Sequence, residues 1–375
     1  MNFLRITNLR NLAILLAGFF IYSNCTNQNE SVFHKKVEAL EFSDTLKVLE
    51  KLNLTESDSL FIRSPRRMFT VNDHFLILTE LEPENFIHVF NLPDLDYLYS
   101  WGVNGKGPDE FQFPPGDFFV NEGNRFSIYD FAMGQIRYFQ VSDTSIVKAA
   151  DAKSMRYSGQ FNYLAGITRL NDSLYIANFD ETPMNDPDVE HIAIKTDDAT
   201  PVSKFGEYPR SDVEGPGKLS LFAKTNITRP DGSSFASFYS NFNRFKIYNS
   251  DFKLIRDVEV YDSSVPDHNV SQTVDNPERI IYRYVRWASD ELIFTHGMNE
   301  TSENLWDNPI PSLTTFFEIW DWDGNQLFRA HFDRRVIRFA VSDNLEKIYA
   351  LGEDPFEEIY VYDISEILQK LNTGF

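Results

Sequence analysis

Read as an alternation of apolar and polar positions, the chain repeats itself. One pattern occurs six times: an alternating apolar run, with an aromatic near its end in five of the copies, then a polar turn. It reads FIHVFNLPD from Phe86, QIRYFQVSD from Gln135, HIAIKTDDA from His191, RFKIYNSDF from Arg244, FFEIWDWDG from Phe316 and EIYVYDISE from Glu358. Period-two alternation that runs into Asp, Asn, Gly or Pro marks a strand entering a hairpin turn. A second strand precedes each copy (FLILTE, RFSIYD, SLYIAN, SFASFY, ELIFTH, KIYALG), and before it come a turn and another apolar strand. A fourth strand follows most copies, as in DYLYSWG from Asp96 and FKLIRDVEV from Phe252. Successive first turns lie about 49 to 60 residues apart.

Four strands per unit at that spacing predict an all-β fold, a six-bladed β-propeller of four-stranded antiparallel blades. The sixth copy is followed by EILQKLNTGF, which reads as helical or frayed. The stretch DTLKVLEKL (Asp44–Leu52) has no partner of its own and is expected to supply the outer strand of the last blade. That N-terminal strand closes the ring and removes exposed sheet edges.

The first residues have another character. Arg5 and Arg10 make a basic start, and LAILLAGFFIY (Leu12–Tyr22) is an apolar core of signal-peptide length, short for a membrane-spanning helix. The only cysteine, Cys25, follows directly in IYSNC, ahead of the polar run TNQNES. This arrangement resembles the lipobox of bacterial lipoproteins, with Tyr22 and Asn24 where smaller residues are usual. It implies a signal peptide over residues 1–24, lipidation of Cys25, a tether over 25–38 and the propeller over 39–375. The expected address is the bacterial envelope, lipid-anchored in the outer membrane on its periplasmic or surface side, with the membrane touched through the acyl chains alone. With Cys25 so used, no disulfide is available and packing must hold the fold.

Charge narrows the partners. The formal net charge is −21, and losing Arg5 and Arg10 with the leader makes the chain more acidic still. Such a surface repels phosphate backbones, so no nucleic-acid partner is expected. The plain reading of the charge is solubility.

The stretch WGVNGKGPDEFQFP (Trp101–Pro114) raises the question of a phosphate cradle. A P-loop needs a hydroxyl residue after its lysine and a helix after that. Here Gly107 and Pro108 follow Lys106, and a strand follows the loop. The stretch is instead the connection between the first two blades. KFGEYPRSDVEGPGKLSLF (Lys204–Phe222) repeats the device, with aromatic–Gly at a strand end, a Gly-Pro turn and a phenylalanine beyond. Glycine permits the corner, and Phe111 or Phe222 is expected to wedge between blades.

The stretch WGVNGKGPDEFQFPPGDFFVNEGNRFSIYDFAMGQIRYFQ (Trp101–Gln140) resembles an NHL-type repeat in its clustered glycines, its Phe and Pro, its Gly-Asn turn and its closing strands. With the leader, the chain is similar to TolB-like six-bladed propeller lipoproteins of Gram-negative bacteria. That resemblance implies an interaction scaffold without an assigned activity.

In a propeller, the connections between blades and those between second and third strands emerge on one face. In this chain that face holds the long insertions, which predicts a binding surface there. Its candidate recognition residues are Lys106, Asp109, Glu110, Tyr208, His268 and Trp306, each of which is otherwise a solvated loop residue. Arg67, Arg169, Arg229, Arg286 and Arg338 lie in or beside the first strands of five blades, and first strands line the channel. They make either a basic funnel for an anionic ligand or, as the preferred reading, pairs with acidic neighbours.

No G-x-S-x-G, H-E-x-x-H or cysteine–histidine metal spacing appears, and WDWDGN (Trp320–Asn325) reads as a hairpin turn rather than a calcium loop. No catalytic residue, metal or cofactor is assigned. The expected function is a monomeric, lipid-anchored binding or scaffold protein whose partner is an envelope protein, a peptide or a glycan. The alternative is a propeller enzyme, a metal-dependent lactonase- or lyase-type hydrolase with its site at the channel mouth.

Overall fold

The repeated strands form six sheets, each hydrogen-bonded as a meander. The computed structural model describes residues 33–54, 60, 62–81, 84–107, 110–114, 117–120, 123–130, 132–150, 155–156, 165–178, 189–209, 221–263, 265, 279–307, 313–352 and 358–373. Three short strands come first: β1 (Phe33–Glu38), β2 (Asp44–Leu46) and β3 (Glu50–Asn53). Blade one holds β4 (Pro65–Val71), β5 (Phe75–Glu80), β6 (Glu84–Asn91) and β7 (Tyr97–Val103). Blade two holds β8 (Asp117–Val120), β9 (Arg125–Asp130), β10 (Gln135–Val141) and β11 (Ile146–Lys148), with β12 (Met155–Arg156) also on β10. Blade three is β13 (Ala165–Asn171), β14 (Leu174–Asn178), β15 (Val189–Lys195) and β16 (Pro201–Glu207). Blade four is β17 (Lys224–Thr228), β18 (Ser234–Tyr239), β19 (Arg244–Asn249) and β20 (Leu254–Tyr261). Blade five is β21 (Ile280–Ala288), β22 (Leu292–Thr301), β23 (Phe316–Asp321) and β24 (Gln326–Phe332). Blade six is β25 (Val336–Val341), β26 (Lys347–Gly352) and β27 (Glu358–Asp363), and the chain then turns into helix α1 (Ser365–Thr373).

The N-terminal segment departs from expectation. Only Glu50–Asn53 completes blade six, antiparallel to β27. Asp44–Leu46 turns aside and pairs in parallel with β24, making a fifth strand of blade five. Upstream, β1 joins β20 as a fifth strand of blade four, so the sheet begins within the stretch assigned to a tether over 25–38. The physical reason is charge as well as pairing. His34 and Lys36 face Asp257 and Glu259 of blade four at 3.3 and 3.6 Å, and Lys35 bonds the blade-five turn at Asn325. A basic patch in an acidic chain thus docks on an acidic edge. Exposed pairs of this kind contribute little each, so the backbone ladder is the main tie. One strap thereby covers the outer edges of three consecutive blades.

The core is divided into seams. Phe75, Phe86, Phe111, Phe126 and Phe139 fill the space between blades one and two. Leu76, Leu78, Leu351 and Ile359 do the same between blades six and one, and Phe245, Val258, Ile293 and Trp320 between four and five. Phe317, Phe332, Phe339 and Tyr362 join blades five and six, and Leu368 of α1 adds to them. Helix α1 starts where Asp363 Oδ1 accepts from Ser365 N at 2.8 Å, an N-cap.

Candidate functional site: the central channel

The first strand of each blade is innermost, and side chains tie these strands together. Thr70 Oγ1 donates to Val341 O at 2.9 Å, Thr225 Oγ1 accepts from Val285 N at 3.0 Å, and Asn226 Nδ2 donates to Gly166 O at 3.1 Å. Four of these inner strands carry bulges. Register slips occur between Pro65 and Arg67, twice in β13, twice in β21, and between Val336 and Arg338. A bulge re-aims the side chains beside it. Here Arg66 and Arg286 fall within bulges and Arg67, Arg169 and Arg338 beside them.

The strands enclose a cavity of about 1000 Å³ whose wall includes Arg67, Arg169, Arg229 and Arg286, with Phe69, Phe118, Ile227 and Trp287 between them. The fifth arginine, Arg338, is not among the residues of this wall, and its Nε donates to Arg66 O at 2.7 Å. Pairing with acidic neighbours accounts for Arg169 and Arg229. Arg169 bonds Asp172, and Arg229 Nε stands 3.4 Å from Asp231. Arg286 is different. Its Nη2 reaches His296 Nδ1 at 3.3 Å and Ile337 O at 3.5 Å, and among the described residues its Nε has no hydrogen-bond partner and no carboxylate pairs with it. Burial, then the nearby guanidiniums of Arg338 and Arg67, push its pKa well down, so its charge is held at a cost. Burial, then the guanidiniums of Arg286 and Arg338, push His296 well below the ordinary imidazole value, which keeps it neutral as an acceptor.

The loop-face candidates separate. Lys106 is exposed. Glu110 is half-buried and turned inward, its carboxylate accepting from Gly107 N at 2.7 Å to close the corner. Tyr208 is half-buried against Phe222 at 5.3 Å, with the Lys224 ammonium 4.6 Å from its ring centre. Trp306 lies on a short helical turn, Glu303–Asp307. Asp109, His268 and Cys25 lie outside the described residues, as do 179–188, 210–220, 266–278 and 308–312 of the long connections. The glycine corner itself is built as expected. Gly102 (φ +86°) and Gly206 (φ +79°) take the conformation that glycine favours, and Phe111 and Phe222 are both fully buried.

Sequence reading missed a set of buried ion pairs. Aligned on their repeats, the third strands carry His88, Arg137, Lys246, Glu318 and Tyr360 at their centre, each flanked by apolar residues. All are buried. His88 Nε2 meets Glu80 at 2.9 Å, Arg137 meets Asp130 at 3.3 Å, and Glu318 takes Arg283 Nε at 2.9 Å. Blade three has Ala193 there and supplies Glu190 instead, which serves the next blade. Glu190 accepts from Lys246 at 3.1 Å, Tyr248 at 3.1 Å and Tyr239, with Lys224 Nζ at 3.6 Å. Burial alone would raise Glu190, but Lys224 and Lys246 outweigh it and hold the carboxyl at about 2. Burial brings Lys224 down to about 8 despite Glu190. The signal was present: one polar residue recurring at the same place in an apolar strand.

A family model described as "6-bladed beta-propeller", DUF5128, matches residues 22–336. Among solved structures, the chain is similar to a protein of Bacteroides fragilis NCTC 9343 described as exported. Identity is 12%, the match covers 88% of this chain and 99% of that one, and the TM-score is 0.56. It is also similar to a DUF4221-family member of Bacteroides vulgatus, at 10% identity over 85% of this chain and 97% of that one, with a TM-score of 0.59. Likeness at such identities speaks for the fold. No curated protein matches the chain. Among the described residues no helix is long and apolar enough to cross a membrane.

Proposed function

The chain belongs to the DUF5128 family of 6-bladed beta-propellers, and from that premise we propose that it is an exported, envelope-held binding protein whose ligand enters the central channel. The observation that carries this reading is the cavity of about 1000 Å³, of small-molecule size, walled by arginines and aromatics on closed, bulged strands. The rigid ring supplies a preformed site, and the long connections of one face would frame its entrance as a NHL- or TolB-like scaffold does. Export is supported by the leader pattern and by the description of the B. fragilis neighbour as exported. Anchoring would come from lipid on Cys25.

Two experiments test the two parts. Metabolic labelling with a fatty-acid analogue should mark the wild type, and a Cys25→Ala protein that still labels removes the anchor. For the channel, native mass spectrometry after incubation with a small-molecule cell extract should show non-covalent adducts on the wild type. Ile227→Trp and Thr168→Trp, which put an indole into the lumen, should lose them while melting normally. Equal adducts on folded plugged variants would overturn the channel reading.

A further inference from the structure

The acidic chain has 56 Asp and Glu against 35 Lys and Arg, so a carboxylate for a buried cation is easily supplied. Elsewhere the fold supplies one. Arg137 has Asp130, Arg283 has Glu318, Arg329 has Asp262, Arg244 has Asp257, and Lys224 and Lys246 share Glu190. Among the described residues no carboxylate pairs with Arg286, although its side chain is part of the channel wall and its enclosed Nε has no hydrogen-bond partner. Its neighbours make this worse, because Arg67 and Arg338 both repel it. Even a half-buried charge without a counter-ion is costly, and a fold keeps one where something else balances it.

The backbone around Arg286 is arranged for the purpose. β21 slips register between Val285, opposite Thr295, and Trp287, opposite Phe294, which leaves Arg286 as the extra residue of a bulge. The extra residue turns out of the ladder and joins the cavity wall together with Trp287. His296 Nδ1, at 3.3 Å, and Ile337 O, at 3.5 Å, orient the guanidinium without neutralising it. Around the same lumen Met68, Phe69, Phe118, Ile167 and Ile227 offer apolar wall.

We propose that Arg286 binds the anionic oxygen head of an organic acid, whose apolar body lies along Phe69, Phe118 and Trp287. The inference rests on the channel being the binding site and adds the class of ligand. Arg67 and Arg338 strengthen the field at the head without being required to touch it. The guanidinium matches a carboxylate or a phosphate oxygen pair, so both heads belong to the class.

Titration calorimetry tests this with phenylacetate, hexanoate and phenyl phosphate against the neutral phenylacetamide and hexanamide. The acids should bind about tenfold tighter than their amides, or more. Arg286→Gln should bring the acids down to the level of the amides and leave the amides unchanged. Because the variant sheds a half-buried charge with no carboxylate partner among the described residues, its melting temperature should equal or exceed that of the wild type, whereas loss of a merely structural arginine would lower it. Acids that bind no better than amides, or fail to bind at all, overturn the proposal. So does acid affinity that survives Arg286→Gln. The channel reading fails separately: if Ile227→Trp leaves all binding intact, the ligands sit elsewhere. Amide binding that Ile227→Trp abolishes and Arg286→Gln leaves alone keeps the channel and, with acids no tighter, discards the anion site.

Discussion

Lys246 Nζ donates to Glu190 Oε2 across 3.1 Å, joining the third strand of blade four to the third strand of blade three. One carboxylate holds two lysines here, since Lys224 lies 3.6 Å from its other oxygen. The group is fully buried, so the charges are scarcely screened. Its folded pKa of about 2 lies below the ordinary 4.5. The stabilisation is therefore complete above about pH 4.5 and is lost as pH falls towards 2. Glu190→Gln should cost about 3–5 kcal/mol near neutral pH, because two lysines lose their counter-ion. Urea melts should show the gap between variant and wild type closing in acid.

Blade five makes a second test of buried charge. Glu318 accepts from Arg283, from Thr295 at 2.8 Å and from Gln326 at 2.8 Å. Arg283→Met should destabilise by about 3–5 kcal/mol, leaving the carboxylate short of its main cation. Replacing both, as Arg283→Met with Glu318→Leu, should recover much of the loss. Chemical denaturation of the two single variants and the double variant gives the coupling directly.

Backbone conformation and space can be separated at three glycines. A Cβ on Gly102 would lie 2.8 Å from the Phe86 ring, on Gly206 3.1 Å from Tyr248 Oη, while Gly123 has nothing within 4 Å. All three have positive φ. Gly123→Ala should cost about 1 kcal/mol, the backbone term. Gly102→Ala should cost about 2–4 kcal/mol, because displacement of a packed ring is added. Thermal melts should rank Gly102→Ala as worse than Gly206→Ala, and that as worse than Gly123→Ala.

The strap offers single bonds to remove. Ala39 N donates to Tyr261 O at 2.7 Å and Leu49 N to Val361 O at 2.8 Å. Proline at either position deletes the donor. Each should cost about 1 kcal/mol or more, a melting shift of a few degrees. Hydrogen exchange should quicken first along β20 for Ala39→Pro and along β27 for Leu49→Pro.

Most of the blade architecture was legible because strand period, turn residues and spacing are all local properties. The wedge residues Phe111 and Phe222 were legible for the same reason. The strap was not. Asp44–Leu46 and Glu50–Asn53 look like one apolar run, and only the edges of blades five and six decide how it divides. The arginines were half legible. Sequence placed them on inner strands, but the bulge that holds Arg286 shows only in the register of β21 against β22. Arg169 and Arg229 find aspartates two or three residues away, a pairing visible in the sequence. Arg286 has no Asp or Glu within three residues on either side, a local difference whose meaning shows only once the strands are placed around the channel. Glu190 was hidden because its partners belong to another blade, whose residues lie 34 to 58 positions further on.

The strap also sets the order in which the molecule can be finished. β2 and β3 are made early, yet they bond strands made 286 and 307 residues later. Synthesis therefore delivers the fastener before anything exists for it to fasten. Blades four and five can fold as meanders but keep open flanks, and blade six remains a three-stranded sheet, until the first-made segment returns to them. Closing such a distance is slow compared with forming a hairpin. A chain broken off before β27 would still hold the partners of β1 and β2 but none for β3, so blade six could not close. The ring is thus a check on full-length synthesis, and unfinished copies would present unpaired edges to whatever removes misfolded protein.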